Sequence, residues 1–185
     1  MDVRVWVGCL AHYNNGDLVG EWVDAAEAGA WTCPKKNPND IYINCEEYWV
    51  MDHEIPGVSG EVSPMTAVKW AEVFAEVDED KADAFTAWIK WREFDNPGEI
   101  NAREFEDQYR GHWDSEEAYG TEFACETLID PFVATAKSMS GPYERAPGYD
   151  ETAQEIINFF DFARYSRELF QHHGYHFDGG HVFSE

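Results

Sequence analysis

The chain has 185 residues, with 13 Lys and Arg against 37 Asp and Glu, and a formal net charge of −24 at pH 7. This composition excludes direct binding to nucleic acid or to an anionic membrane, because both require a basic surface, and it predicts a basic partner. A hydrophobic fraction of 44% and an aromatic fraction of 16% also exclude a disordered acidic polymer and predict a packed core.

The negative charge is spread along the whole chain. It amounts to −7 over residues 1–60, −6 over 61–100, −7 over 101–130 and −4 over 131–185. An acidic tail or a single acidic pocket would concentrate the charge, so this distribution predicts a broad acidic surface. Solubility or adaptation to high salt is the general alternative, although the many large aromatic residues fit adaptation to high salt poorly.

The first sixty residues predict a small antiparallel sheet with one short helix. Residues rich in Val and Trp form the strands, and an Asn-Asn-Gly-Asp sequence is typical of a tight hairpin turn. The expected elements are a strand at Val3–Leu10, a turn at Asn14–Asp17, a strand at Leu18–Val23, a helix at Asp24–Ala30, a loop at Cys33–Asp40 and a strand at Tyr48–Glu54.

The middle of the chain predicts two helices after a boundary rich in Gly, Ser and Pro. Ser63 is expected to cap the first helix, with Pro64 in its first turn, where the missing N–H costs nothing. Apolar residues then recur at helical spacing over Met65–Val77. The second helix begins near Asp80 and ends before Asp95–Gly98.

The stretch Asn101–Asp130 combines nine acidic residues and five aromatic residues with only two basic ones. Asn101 and Asp114 are each followed three residues later by Glu, which predicts two helix starts. The second of these helices is expected to end near Leu128, before Pro131. Its carboxylates must face water, because an unpaired buried carboxylate is too costly.

The remainder of the chain predicts helices and a closing hairpin. A loop is expected at Gly141–Gly148, helices at Glu151–Phe160 and Asp161–Phe170, and a hairpin at Tyr175–Phe183 that turns at Asp178-Gly179-Gly180. The whole pattern predicts an α+β fold with an N-terminal sheet domain (1–60), a helical middle domain (61–100) and a C-terminal α+β domain (101–185).

No sequence motif of a common enzyme chemistry is present, whether GxGxxG, GxxxxGK[ST], HExxH or GxSxG. We therefore predict no catalytic residue and no cofactor. The four cysteines (Cys9, Cys33, Cys45 and Cys125) contain no CxxC pair and are interpreted as reduced thiols of a cytoplasmic protein.

The best metal candidate in the sequence is a group of C-terminal histidines, because histidine is a common zinc ligand. The group comprises His172, His173, His176 and His181. No cysteine accompanies them, and a solvated helix end, where partly charged histidines interact favourably with the C-terminal dipole, is the favoured interpretation. No metal site is predicted, and a metal-dependent enzyme that uses these histidines stays an alternative.

Several ordered blocks resemble the ArdA antirestriction proteins. They are RVWVGCLAHYNNGDLVGEWVDA near the N-terminus, EEYWVMDHE after it, EFEDQYRGHWDSEEAYGTEFACE in the centre, and NFFDFARYSRELF with GGHVF at the end. The resemblance spans nearly the whole chain. Relative to the family pattern, the stretches Trp31–Asp40 and Ser138–Tyr149 are longer.

The resemblance implies a non-enzymatic DNA mimic that occupies the DNA-binding channel of type I restriction-modification enzymes. It further implies a cytoplasmic protein of mobile genetic elements, such as conjugative transposons. The implied fold is three small α/β domains in an elongated row, which pair as a homodimer through the C-terminal domain. The acidic antirestriction motif of the family corresponds approximately to Glu116–Asp130.

Nineteen carboxylates, here called the acidic set, are predicted to contact the basic partner. They belong to Glu46, Glu47, Asp52, Glu54, Glu72, Glu76, Asp78, Glu79, Asp80, Asp83, Glu104, Glu106, Asp107, Asp114, Glu116, Glu117, Glu122, Glu126 and Asp130. The open alternative of a different class is an acidic chaperone or binding protein for another basic DNA-binding protein.

Overall fold

The computed structural model describes residues 3–34, 44–139 and 156–185, in which helices combine with two small antiparallel sheets. The predicted α+β fold class is confirmed. The chain divides into two compact units, Met1–Asp107 and Gln108–Glu185. The division into three domains stays a prediction. The predicted loop at Gly141–Gly148 lies outside the described residues, as do most of the predicted loop at Cys33–Asp40 and the first half of the predicted helix at Glu151–Phe160.

The first unit begins with a three-stranded antiparallel sheet. Its strands are β1 (Arg4–Cys9), β2 (Gly20–Asp24) and β3 (Tyr48–His53), with β1 in the centre. Val5 and Val7 alternate with outward-facing residues and are fully buried, as the period of a strand requires. The three strands predicted from the sequence are thus confirmed, with bounds that differ by one or two residues.

The predicted turn at Asn14–Asp17 is present, but it is not a tight hairpin between the first two strands. A short helix, α1 (Leu10–Asn14), follows β1 directly and lengthens the connection to β2. Asn15 donates a side-chain hydrogen bond to the carbonyl of Ala11, and Gly16 follows with a positive φ of 87°. The Asn-Gly pair therefore ends a helical turn, for which the same positive φ is needed as in a hairpin.

A 3-10 helix at Ala25–Ala30 follows β2, as the sequence predicts a short helix there. The carboxylate of Asp24 accepts a hydrogen bond of 2.9 Å from the backbone N–H of Ala26 and caps this helix. Its buried side packs against α2 (Pro64–Ala75), whose N-terminus is capped by Ser63 as predicted. The sheet and the helical middle of the chain are joined in this way.

The helices of the first unit enclose an aromatic core. They are α2, α3 (Ala82–Arg92) and α4 (Ala102–Gln108). The buried rings belong to Trp70, Phe74, Phe85, Trp88 and Phe105. Neighbouring rings have centroids 5.2–6.2 Å apart. These separations suit edge-to-face and offset contacts, so a few large side chains fill the interior.

The second unit contains a sheet of strand order β4-β6-β5, with β4 at Tyr109–His112, β5 at Tyr175–Asp178 and β6 at His181–Ser184. The closing hairpin is confirmed, and Gly179 and Gly180 provide its turn with φ of 58° and 92°. Strand β4 was not predicted. It has four residues, and the polar sequence around it shows no apolar alternation.

The central acidic helix differs from its prediction at both ends. Helix α5 spans Glu116–Ala124, and Ser115 rather than Asp114 caps it by accepting a hydrogen bond from the N–H of Ala118. A π-helical turn (Cys125–Ile129) then leads into α6 (Asp130–Met139), so the helix does not end before Pro131. Pro131 lacks the N–H of a regular helical hydrogen bond, and it follows the π-helical turn, where the hydrogen-bond pattern of the helix already departs from the regular one.

Helix α5 packs closely against α7 (Phe162–His172), which follows a helical stretch at residues 156–159. The contact requires a glycine at position 120. A Cβ atom there would lie 2.7 Å from Cβ and 2.9 Å from Cα of Ser166.

In the described part of the chain, no helix has the length and apolarity needed to cross a membrane.

We predict that Gly120→Ala destabilises the protein by about 1–3 kcal/mol, because the added methyl group collides with the backbone of α7. Urea denaturation followed by circular dichroism measures this. Ala118→Ser, which adds one atom at an exposed position of the same helix, is the matched control and should change the free energy of unfolding by less than about 0.5 kcal/mol. Equal stability of Gly120→Ala and the parent chain would contradict the close approach.

Candidate functional site

The acidic set lies almost entirely on the surface. Eighteen of its nineteen members are exposed, and the exception, Glu104, is half-buried. The members occupy β3 and its flanks, the outer side of α2, the α2–α3 connection, α4, and the segment from Asp114 to Asp130. Both units therefore present carboxylates to solvent, and the structure keeps their charges in water, where an ionised carboxylate is stable.

The α2–α3 connection concentrates acidic side chains within a few residues. Asp78 precedes a 3-10 turn at Glu79–Lys81, which contains Asp80, and Asp83 lies in the first turn of α3. All three aspartates are exposed. Acidic residues at this place also favour the positive end of the helix dipole, so this charge costs the fold less than it would elsewhere.

Two members of the set are engaged with basic side chains of the same unit. Lys81 Nζ lies 2.7 Å from the carboxylate of Glu106, and Arg92 Nη1 lies 2.7 Å from Oε1 of Glu104. The hydrogen bond with Glu106 is the main reason that the pKa of Lys81 is raised. These pairs connect α4 to the start and end of α3, and they reduce the charge that Glu104 and Glu106 offer to a partner.

The exposed carboxylates of α5, at Glu116, Glu117 and Glu122, form its acidic face, and the buried side of the helix packs against aromatic rings. Tyr119 is buried, and its ring centroid lies 4.7 Å from that of Trp113. The indole of Trp113 in turn donates a hydrogen bond of 2.9 Å to Oε2 of Glu122. Burial, with a further contribution from the hydrogen bond with Tyr175, raises the pKa of Tyr119, so this phenol stays neutral. The face thus owes its charge to carboxylates alone.

The C-terminal histidines do not form a common site. His172 and His173 are exposed at the end of α7, and His176 stacks beside the ring of Phe183. Nδ1 of His181 lies 3.2 Å from the hydroxyl of Tyr109. Within residues 156–185 these four histidines do not bring three ligand atoms together. The geometry gives no support to an enzyme that uses them to hold a metal.

A different group of possible metal ligands does come together in the first unit. The ligand atoms of four side chains lie within 4.8 Å of one another; they belong to Cys9, His12, Cys33 and Cys45. We refer to these residues as the Cys₃His cluster. Of the three thiols, only Cys9 is buried. This cluster was not predicted from the sequence, because the four cysteines contain no CxxC pair.

The signal that could have found the cluster is the spacing of Cys9 and His12. Cys9 and His12 are both zinc-ligand types, and two residues separate them, as in the CxxC half of a zinc-ligand pattern. The thiols also perturb one another. Burial would raise the pKa of Cys9, but hydrogen bonds from His12, Cys33 and Cys45 lower it to about 7. Burial, together with those neighbouring thiols, raises the pKa of Cys33 to about 12.

The family model described as antirestriction protein (ArdA) matches residues 5–183. The chain belongs to the ArdA family. The match covers nearly its whole length and includes both units, the acidic set and the Cys₃His cluster. It confirms the family predicted from the sequence blocks and implies an antirestriction role. No curated protein matches the chain significantly.

In this ArdA family member, Arg92 contacts both a carboxylate of the acidic set and neighbouring aromatic rings. Besides its pair with Glu104, its guanidinium lies 6.0 Å from the ring centroid of Trp88 and 5.5 Å from that of Phe94. We predict that Arg92→Ala lowers the free energy of unfolding by about 1–2 kcal/mol, because the ion pair and the ring contacts are lost together.

Urea denaturation measures the effect of Arg92→Ala. Arg92→Lys should be intermediate, because lysine keeps the charge and loses the planar stacking group. The exposed Arg103 on α4 offers the matched control, and Arg103→Ala should be nearly neutral. Equal losses in Arg92→Ala and Arg103→Ala would show that the contacts of Arg92 contribute nothing.

Proposed function

We propose that this protein is a non-enzymatic inhibitor of type I restriction-modification enzymes and that it occupies their DNA-binding channel. In this proposal its carboxylates take the place of DNA phosphates. The exposure of the acidic set is the observation that carries it. Membership of the ArdA family supports the same role.

The physical basis is the similarity between carboxylates and phosphates as ligands for basic side chains. Both carry negative charge on oxygens, and both accept charge-assisted, often bidentate, hydrogen bonds from arginine. Duplex DNA carries one charge per roughly 1.7 Å of its axis, so a channel that binds it is lined with cations. A surface with many carboxylates can satisfy those cations without any covalent step, so the proposal requires no catalytic residue.

The carboxylates of the acidic set are not equal candidates. Glu104 and Glu106 are paired with Arg92 and Lys81, so they contribute mainly to the scaffold. The exposed carboxylates from Glu116 to Asp130 lie on one continuous helical segment and correspond to the implied antirestriction motif. We propose that this segment makes the strongest contacts with the enzyme.

We further propose that the protein acts in the cytoplasm, where restriction enzymes meet incoming DNA, and that it forms a homodimer through its C-terminal unit. Three exposed apolar side chains in that unit are available for such a contact. Leu128, Phe132 and Phe159 are 46%, 60% and 88% exposed. A role in protecting a mobile genetic element from restriction follows from the same proposal.

We predict that the purified protein displaces a labelled target duplex from a type I restriction enzyme, and that displacement weakens as salt rises. The reason is that salt screens the attraction between the carboxylates and the cations of the channel. Fluorescence anisotropy of the duplex at 50 mM and 200 mM salt measures both effects. DNA binding itself changes by orders of magnitude over this range, so the affinity of the enzyme for the duplex alone is measured at each salt concentration and used to calculate that of the inhibitor. Absence of displacement at both concentrations would refute the proposal.

We also predict that replacing Glu116, Glu117, Glu122 and Glu126 together by Gln weakens displacement by roughly 30-fold. Each lost charge contact is worth about 0.5 kcal/mol, and roughly 2 kcal/mol in total corresponds to that factor. Glutamine keeps an acceptor oxygen for Trp113, so the fold should be retained, which circular dichroism checks.

The matched control neutralises four exposed acids outside the acidic set: Asp17→Asn with Glu27→Gln, Glu61→Gln and Glu99→Gln. Both variants change the net charge by the same amount. If the two weaken displacement equally, total charge rather than this segment determines binding. If neither does, and pull-down recovers a basic protein other than a restriction enzyme, the alternative of an acidic chaperone is supported instead.

A further inference from the structure

We propose that the Cys₃His cluster binds one structural zinc ion. This inference goes beyond the antirestriction role and does not depend on it, because it concerns the N-terminal sheet and uses no residue of the acidic set. It rests on the ligand geometry, on the way in which the backbone positions each ligand, and on the chemistry of three thiols with one imidazole.

The distances fit a single ion. In a tetrahedral site with Zn–S of about 2.3 Å and Zn–N of about 2.0–2.1 Å, the edge between a sulfur and a nitrogen is about 3.6 Å. Sγ of Cys33 and Sγ of Cys45 lie 3.5 Å and 3.6 Å from Nδ1 of His12. All four ligand atoms lie within 4.8 Å of one another. Small adjustments of the side chains are enough to close this group around one ion.

The backbone holds the first two ligands firmly. Cys9 is the last residue of the central strand β1, and its N–H donates to the carbonyl of Val19 at 2.9 Å. His12 lies one helical turn later, where its carbonyl accepts hydrogen bonds from the N–H groups of Asn15 and Asp17. Cys9 and His12 are each 1% exposed. These two ligands therefore form a rigid, buried half of the site.

The other two ligands lie on chain segments that contact the same sheet. Cys33 closely follows Trp31, whose indole donates a hydrogen bond of 3.0 Å to Glu21 on β2. Cys45 precedes Tyr48, which pairs with Cys9 in the register of β1 and β3. The rings of Trp31 and Tyr48 are in contact, with centroids 5.7 Å apart. The segments that carry Cys33 and Cys45 are thus held near the cluster by contacts that do not involve a metal.

The donor set selects zinc. Thiolates are soft ligands, and a tetrahedral set of three sulfurs and one nitrogen is typical of structural zinc sites. The four protein ligands fill the coordination sphere and leave no open position for water or substrate. The site therefore predicts a stabilising role and not a catalytic one. Because the thiols of Cys33 and Cys45 are only half-buried, an ion can reach the site from solvent past these two residues.

Zinc at this site would connect parts of the chain that are distant in sequence. It would join the end of β1 to residues 33 and 45, which lie on either side of the stretch 35–43. A metal that binds only the folded arrangement stabilises it by mass action, so removal of the ion should lower the melting temperature.

The test is the metal content of the untagged full-length protein, expressed with zinc in the medium and measured by mass spectrometry of the elements. We expect one zinc per chain. Cobalt substitution should give visible bands of tetrahedral Co²⁺ and a thiolate-to-cobalt charge-transfer band. Prolonged treatment with a chelator should remove the ion and lower the melting temperature by several degrees.

Substitution of Cys33 or Cys45 tests whether these thiols bind the ion. Cys33→Ser and Cys45→Ser should each reduce zinc to below about a tenth of an equivalent after dialysis. Mutation of a residue that only hydrogen-bonds to a metal ligand can lower metal affinity by roughly 100-fold, and loss of a ligand itself should lower it further. Their half-buried positions make folding less sensitive than at Cys9, and circular dichroism checks it. Cys125→Ser, in the second unit, is the matched control and should keep one zinc.

Three results would overturn the proposal. One is a parent protein that contains no zinc and takes up no cobalt after reduction. Another is zinc that survives in both Cys33→Ser and Cys45→Ser but is lost from Cys125→Ser or from a His172→Ala/His173→Ala variant. The third is a non-reduced intact mass lower by one pair of hydrogens, with a disulfide mapped to two of the clustered thiols in the protein as isolated.

Discussion

The structure depends on aromatic packing that is strong enough to hold together a chain of net charge −24. Carboxylates that repel one another favour expansion, and the interior must oppose this with few residues. Each buried tryptophan or phenylalanine removes a large apolar area from water, so the five rings of the aromatic core, Phe85 among them, contribute much of the opposing free energy in the first unit. Because the interior needs so few positions, the remaining surface is available for acidic side chains.

The carboxylates have two different roles in this arrangement. Glu104, Glu106 and Glu122 each contact a donor within their own unit, and these contacts fix α4 and the face of α5. The other members of the acidic set are exposed on the surface. A count of acidic residues therefore overstates the charge available to a partner. The same pairs explain how a surface of one sign can still have an ordered scaffold.

The sequence predicted those elements whose signals are local. Ser63-Pro64 specifies a helix start and Gly179-Gly180 a hairpin turn, because each signal depends only on the backbone beside it. Strand β4 escaped prediction because its pairing with β6 comes from a segment about seventy residues away. The Cys₃His cluster escaped for the same reason, since only folding brings Cys33 and Cys45 to Cys9. The acidic surface was foreseeable, because water is the only environment that ionised carboxylates tolerate unpaired.

The π-helical turn at Cys125–Ile129 sets the direction in which all later side chains of that helix point. Such a turn accommodates one residue more than an α-helix would over the same length, and Thr127 contributes a side-chain hydrogen bond of 2.6 Å to the carbonyl of Phe123 there. Loss of that one residue would restore regular winding and leave the later side chains facing as they do now, whereas loss of a residue from the regular part of α5 would rotate them by about 100°. Exposed Phe132 would face another direction in the second case, so chain length in α5, and not only residue type, is under constraint.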